Sequence, residues 1–167
     1  VSGTLSLDGE GVDVTGSGWF DHEWGTSQLG EGVAGWDWFS LRLDDGTELM
    51  VYRLRREDGS ADPYSSGTVV AADGTTRRLS VEEVTLEPTG SWTSPETGGV
   101  YPSGWRIAVP SAGLDLRVEP LRPSAELDGR ASTGVVYWEG PVAVSGSHVG
   151  EGYTELTGYA GSLAGRF

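Results

Sequence analysis

Two short stretches concentrate the side chains that could move protons or hold a flat apolar molecule. The first is Trp19-Phe20-Asp21-His22-Glu23-Trp24-Gly25, followed by Gly35-Trp36-Asp37-Trp38; four of the seven Trp and one of the two His fall inside it. The second is Tyr137-Trp138-Glu139-Gly140, with Gly152-Tyr153-Thr154-Glu155-Leu156 after it. Successive side chains of a strand point to opposite faces. Alternation therefore puts His22 with Trp24, Trp36 with Trp38 opposite Asp37, Tyr137 with Glu139, and Tyr153 with Glu155. Such a set describes a cavity walled by aromatic rings, with one His and one or two carboxyl groups placed for proton transfer. His22, Asp21, Asp37 and Glu139 are the candidate catalytic groups. Trp24, Trp36, Trp38, Tyr52, Tyr137, Trp138, Tyr153 and Glu155 are the candidate ligand contacts. A core of Trp and Tyr whose polar tips are tied off by hydrogen bonds has the same signature. In that reading His22 is an ion-pair member, and Glu139 and Glu155 neutralise Arg53 or Arg55 inside a barrel. His148, in a Gly/Ser turn, reads as solvated.

Other chemistries find little footing. There is no Cys, which removes disulfides, thiolate zinc sites and a Cys nucleophile. All 11 basic residues are Arg, so a Schiff-base lysine and a phosphate-binding lysine are absent. Asp21-His22-Glu23 cannot aim three consecutive strand side chains at one ion, and no metal is expected. The Gly-X-Gly strings lie in turns rather than between a strand and a helix, and no Ser sits in a nucleophile elbow. No cofactor is expected. A net charge of −14 argues against nucleic acid and anionic membranes as partners. No apolar run approaches the roughly 20 residues that span a bilayer. The opening VSGTLSLDGEG lacks the regions of a signal peptide, and the compartment, cytoplasmic or secreted, stays open.

The elements that must position these groups read as strands. The 27 Gly and 8 Pro punctuate short alternating runs. SGTLSL is followed by a run from Val12 to Gly25, and a Gly-rich loop then leads into Trp36 to Leu43. Asp44-Asp45-Gly46 and Ala72-Asp73-Gly74 are hairpin turns between alternating segments. WRIAVP, LDLRVEP, AELDGR, VVYWEGPVAVSG and GYTELTGYAG continue the meander after a Pro/Gly-rich stretch from Thr89 to Gly104. Leu79 to Leu86 comes nearest to a helical pattern and still reads as strand. A single all-β antiparallel domain follows, an up-and-down barrel or sandwich of at least eight strands.

The strings GWFDHEWG, GWDWFSLRLDDGTELMVYRLR, YPSGWRIAVP, YWEGPVAVSG and GYTELTGY resemble, in order, the AttH/CrtC family. That family includes carotenoid 1,2-hydratases and lipocalin-like proteins, and related fungal proteins are hydratases and Diels–Alder-type cyclases. The resemblance implies a lipocalin-like barrel of about 8–10 strands and an apolar small-molecule ligand. It also implies that residues 1–167 form the C-terminal domain of a tandem pair, with 1–25 as entering strands. The partner would then be an N-terminal lipocalin-like domain or a second copy of the chain. In the hydratases the His and second Trp of the DHxWG motif matter for activity; they fall on His22 and Trp24. A Tyr and an Asp on a following strand are also used there. Tyr52 matches the Tyr, but Arg53, Leu54 and Arg55 leave no acid beside it, which weakens carotenoid hydration as the reaction. The expected function is hydration, cyclisation or isomerisation of an isoprenoid or polyketide-like molecule. The alternatives are a non-catalytic carrier of a lipophilic ligand and a structural half of a two-domain protein.

Overall fold

The computed structural model describes residues 1–21 and 29–165. Fourteen strands occur among the described residues. β1 (Ser2–Leu7) and β2 (Glu10–Thr15) pair around Asp8 and Gly9, whose φ values of 52° and 87° are those of a type I′ turn. β3 (Val33–Leu43) and β4 (Glu48–Arg56) form the next hairpin, and β5 (Ser66–Val70) and β6 (Thr76–Ser80) the third. Gly46 and Gly74 supply the positive φ at these two turns, as the Asp-Gly pairs predict. Then come β7 (Thr85–Pro88), β8 (Ser91–Thr93), β9 (Val100–Pro102), β10 (Trp105–Val109), β11 (Leu114–Pro120), β12 (Glu126–Asp128), β13 (Val136–Gly146) and β14 (Gly150–Thr157).

One ten-stranded antiparallel sheet runs β6–β5–β4–β3–β14–β13–β11–β10–β7, with β12 added on β13. Its curl comes from β14, the last strand, pairing back onto β3. The two ends of the sheet, β6 and β7, are consecutive in the chain. A 3-10 turn over Val81–Glu83 joins them, and Arg77 of β6 reaches Glu83 at 2.7 Å and Ser111 at 2.8 Å. The result is a lipocalin-like half-barrel.

Two local expectations are corrected. Leu79 to Leu86 is not one strand, because the Glu83 side chain accepts the Ser80 N–H at 3.0 Å and closes a tight turn there. The Pro/Gly-rich stretch holds the small ribbon β8–β9, held by Trp92 against Tyr101 with ring centroids 6.0 Å apart.

The core follows from alternation. Phe39, Leu41 and Leu43 on β3, Leu49 and Val51 on β4, Leu116 and Val118 on β11, and Trp138, Val142 and Val144 on β13 all face the concave side and are buried. Packing there is close. A Cβ added to Gly67 would stand 2.6 Å from a Val51 methyl and 2.7 Å from the Met50 carbonyl oxygen.

Candidate functional site

The two faces of the curled sheet carry different chemistry. On the concave face Asp37 is fully buried and accepts four hydrogen bonds. Arg53 Nε and Nη2 reach Oδ2 at 3.0 and 2.8 Å, Arg55 Nε reaches Oδ1 at 3.2 Å, and the Tyr159 hydroxyl reaches Oδ1 at 2.8 Å. Arg53 also donates to the Leu86 carbonyl at 3.3 Å, and Arg55 to the Thr157 carbonyl. The guanidiniums lie over aromatic rings, Arg53 at 5.3 Å from the Trp105 centroid and Arg55 at 3.8 Å from that of Tyr159. Burial and the Asp37 charge push the Tyr159 phenol well above its ordinary range. Every lone-pair direction of Asp37 is engaged, which suits a structural anchor between strands. The interior arginines therefore share Asp37 as their acidic partner; Glu139 and Glu155 lie on the other face.

The convex face carries the aromatic set. Strand register lines up Glu139, Glu155, Trp38 and Tyr52 as successive cross-strand neighbours on β13, β14, β3 and β4. The next row reads Pro141, Tyr153, Ser40 and Met50. Residues 16–21, which follow β2, pass over these rows and close an open groove of about 620 Å³. Its walls are Ser17, Trp19 and Asp21 from that segment, Trp38, Ser40 and Arg42 from β3, Pro141 from β13, Glu151 and Tyr153 from β14, and Leu121. Two side-chain bonds fix the segment: Trp19 Nε1 donates to Asp21 Oδ1 at 2.9 Å, and Ser17 Oγ donates to Glu151 Oε1 at 2.7 Å. The size is that of a small-molecule site. Burial raises the Glu139 carboxyl above its usual range. The Tyr153 phenol is also raised, by burial first and then by the charges of Glu139 and Glu155.

The structure brings Asp21, Trp38 and Tyr153 into the groove and sets Tyr52, Glu155 and Glu139 beside it on the same face. Tyr137 shares that face two residues from Glu139. Trp36 packs instead into a small second cluster with Leu29, Val33, Leu54 and Leu163. Trp138 and Asp37 are on the concave side; Trp138 is core and donates to the Pro123 carbonyl at 2.6 Å. His22 and Trp24 lie outside the described residues. His148 bonds Ser147 at 3.0 Å and approaches Asp45 at 3.5 Å, on the surface and away from the groove. Ser40, Arg42 and Glu151 were not singled out in the sequence, and Trp19 was counted in the first stretch but not among the ligand contacts. Ser40 and Arg42 follow from Trp38 by strand alternation, whereas residues 16–21, expected as part of an alternating run from Val12 to Gly25, lie beyond the end of β2 at Thr15 and form no strand.

A family model described as AttH-like matches residues 1–159. The chain belongs to the AttH-like family. No curated protein matches this AttH-like chain significantly. Among solved structures, a Nitrosomonas europaea protein described as an AttH is 40% identical, with a TM-score of 0.88. That match covers 95% of this chain and 49% of the other. Kievitone hydratase from Nectria haematococca is 20% identical with a TM-score of 0.73, over 96% of this chain and 50% of that one. This second likeness shows the shared fold. The AttH-like chain spans about half the length of the solved structures it matches.

Proposed function

We propose that this chain is the C-terminal lipocalin-like unit of an enzyme that hydrates, cyclises or isomerises an apolar isoprenoid or polyketide-like molecule, and that the convex-face groove holds it. The observation that carries the reading is the groove itself: Trp19, Trp38 and Tyr153 line a ligand-sized space, with Glu139 beside it raised by burial. A carboxyl whose pKa is raised by its surroundings is suited to give its proton to one alkene carbon. Water then adds to the cation at the other carbon, and a proton returns to the carboxylate. Ring closure in place of water capture gives a cyclase. His22 and Trp24 enter through the family motif, His22 as a proton carrier or as the group that orients one, Trp24 as a ring surface. The name of kievitone hydratase, a protein of this fold, supports hydration among the three reactions.

Coverage of only 49% of a relative 40% identical supports a second unit. So does the β1–β2 ribbon, which leaves Leu5 and Val12 exposed as a cross-strand pair. A carrier holding its ligand inside the barrel is disfavoured by the close-packed concave side.

The test is turnover by the full-length protein of prenylated phenols and acyclic terpenes, read by mass spectrometry as water addition or ring closure. Trp38→Leu should lose substrate binding and rate together. Glu139→Gln should lose rate by about 10²–10⁴-fold, the scale of general acid help. Binding without turnover of any alkene would overturn the enzyme reading and leave a binder.

A further inference from the structure

We propose that the convex-face groove selects positive charge: a quaternary or protonated tertiary amine on a hydrophobic chain binds there in preference to a neutral or anionic molecule of the same shape. This rests on the groove being the ligand site and adds the charge of the ligand.

The argument begins with the rings. Trp19, Trp38 and Tyr153 line the space, and aromatic faces carry the negative end of a quadrupole that attracts ammonium groups. The carboxylates in the same wall are Asp21 and Glu151. Each accepts from a neutral donor, Trp19 at 2.9 Å and Ser17 at 2.7 Å, and Glu151 also stands across from Arg42 in the β14–β3 register. Arg42 is the one guanidinium among the described lining residues, and it is engaged by Glu48 at 3.3 Å.

The next row adds to the field. Glu155 stands directly across from Trp38, and Glu139 directly across from Glu155, all on the convex face. Side chains in such positions start about 4.5–5.5 Å apart at Cβ, which sets the Glu155 carboxyl beside the Trp38 ring. Tyr153 in the adjacent row is pushed up by burial first and then by the two glutamates. A cation seated against Trp38 meets the ring and the neighbouring Glu155 carboxyl at once. The same arrangement favours the carbon cation formed when an alkene is protonated, so an ammonium ligand mimics that state.

Isothermal titration of the full-length protein at pH 7 with geranyltrimethylammonium, geraniol and geranic acid separates charge from shape. The ammonium compound should bind at least about tenfold tighter than geraniol, with geranic acid weakest. The preference should shrink in about 1 M salt, where the screening length is about 3 Å. It should also shrink in Glu155→Gln, while Trp38→Leu weakens both the ammonium compound and geraniol. Equal affinity for the ammonium compound and geraniol, both lost in Trp38→Leu, overturns the charge preference and leaves the groove as the site. Ammonium binding untouched by either variant puts the cation elsewhere on this acidic surface and overturns the proposal. No binding of any of the three overturns the groove as the ligand site as well.

Discussion

Replacing Asp37 by Asn should destabilise the protein more than any single change on the convex face. Asp37 is fully buried, and the carboxylate is the common acceptor for Arg53, Arg55 and Tyr159. Asn removes the charge and turns one of the two oxygens into a donor facing a donor. Breaking a buried ion pair by removing one partner costs about 3–5 kcal/mol, because the other charge stays buried without compensation. The arginine side chains keep 21% and 15% of their exposure, so water recovers part of the loss and the lower end, about 3 kcal/mol, applies. At roughly 2–4 °C per kcal/mol for a chain of this size, Tm should fall by about 6–12 °C. Urea unfolding followed by circular dichroism measures this directly, provided the slope with denaturant is unchanged. A loss below about 1 kcal/mol would refute the reasoning, since it is the range of an exposed pair.

Two further outcomes follow from the geometry and two from the family motif. Glu139 has a raised pKa in the folded state, so the native protein holds a proton that the unfolded chain has released, and stability falls as pH rises above the ordinary carboxylate range. Glu139→Gln should therefore raise Tm at pH 7 and do nothing at pH 4, as thermal scans at the two pH values would reveal. Gly67→Ala should cost about 1–3 kcal/mol through the clash with Val51 and Met50, measured by the same urea unfolding. With a turned-over substrate in hand, His22→Gln should spare binding and cut kcat by about 10²–10⁴-fold. Trp24→Leu should weaken both, since a ring surface serves ground state and transition state alike.

Much of the architecture is legible in the residues. Asp-Gly pairs mark the β3–β4 and β5–β6 turns because glycine alone takes their positive φ without cost. Alternation correctly separates Trp36 and Trp38 from Asp37, and groups Tyr137 with Glu139 and Tyr153 with Glu155. What it leaves undecided is which face is the core. On β3 one face reads Asp37, Phe39, Leu41, Leu43 and the other Trp36, Trp38, Ser40, Arg42, and a charged residue heads the buried one. The resolution lies on β4, where Arg53 and Arg55 continue the inward positions of Leu49 and Val51 and so meet Asp37. That pairing depends on register, which no single strand contains. The groove was hidden for a related reason: one side of its wall is the irregular segment at residues 16–21, tied to β14 by the long-range bond from Ser17 to Glu151.

The central claim is that a ligand binds on the convex face and not inside the barrel. Tryptophan side chains report on both places: Trp19 and Trp38 line the groove, whereas Trp105 and Trp138 are buried on the concave side. Fluorotryptophan labelling with assignment by single Trp→Phe variants, followed by NMR titration with geraniol or its trimethylammonium analogue, reads each ring separately. The Trp19 and Trp38 resonances should shift with saturation while Trp105 and Trp138 hold still. Saturable shifts confined to Trp105 and Trp138 would place the ligand within the barrel and contradict the account.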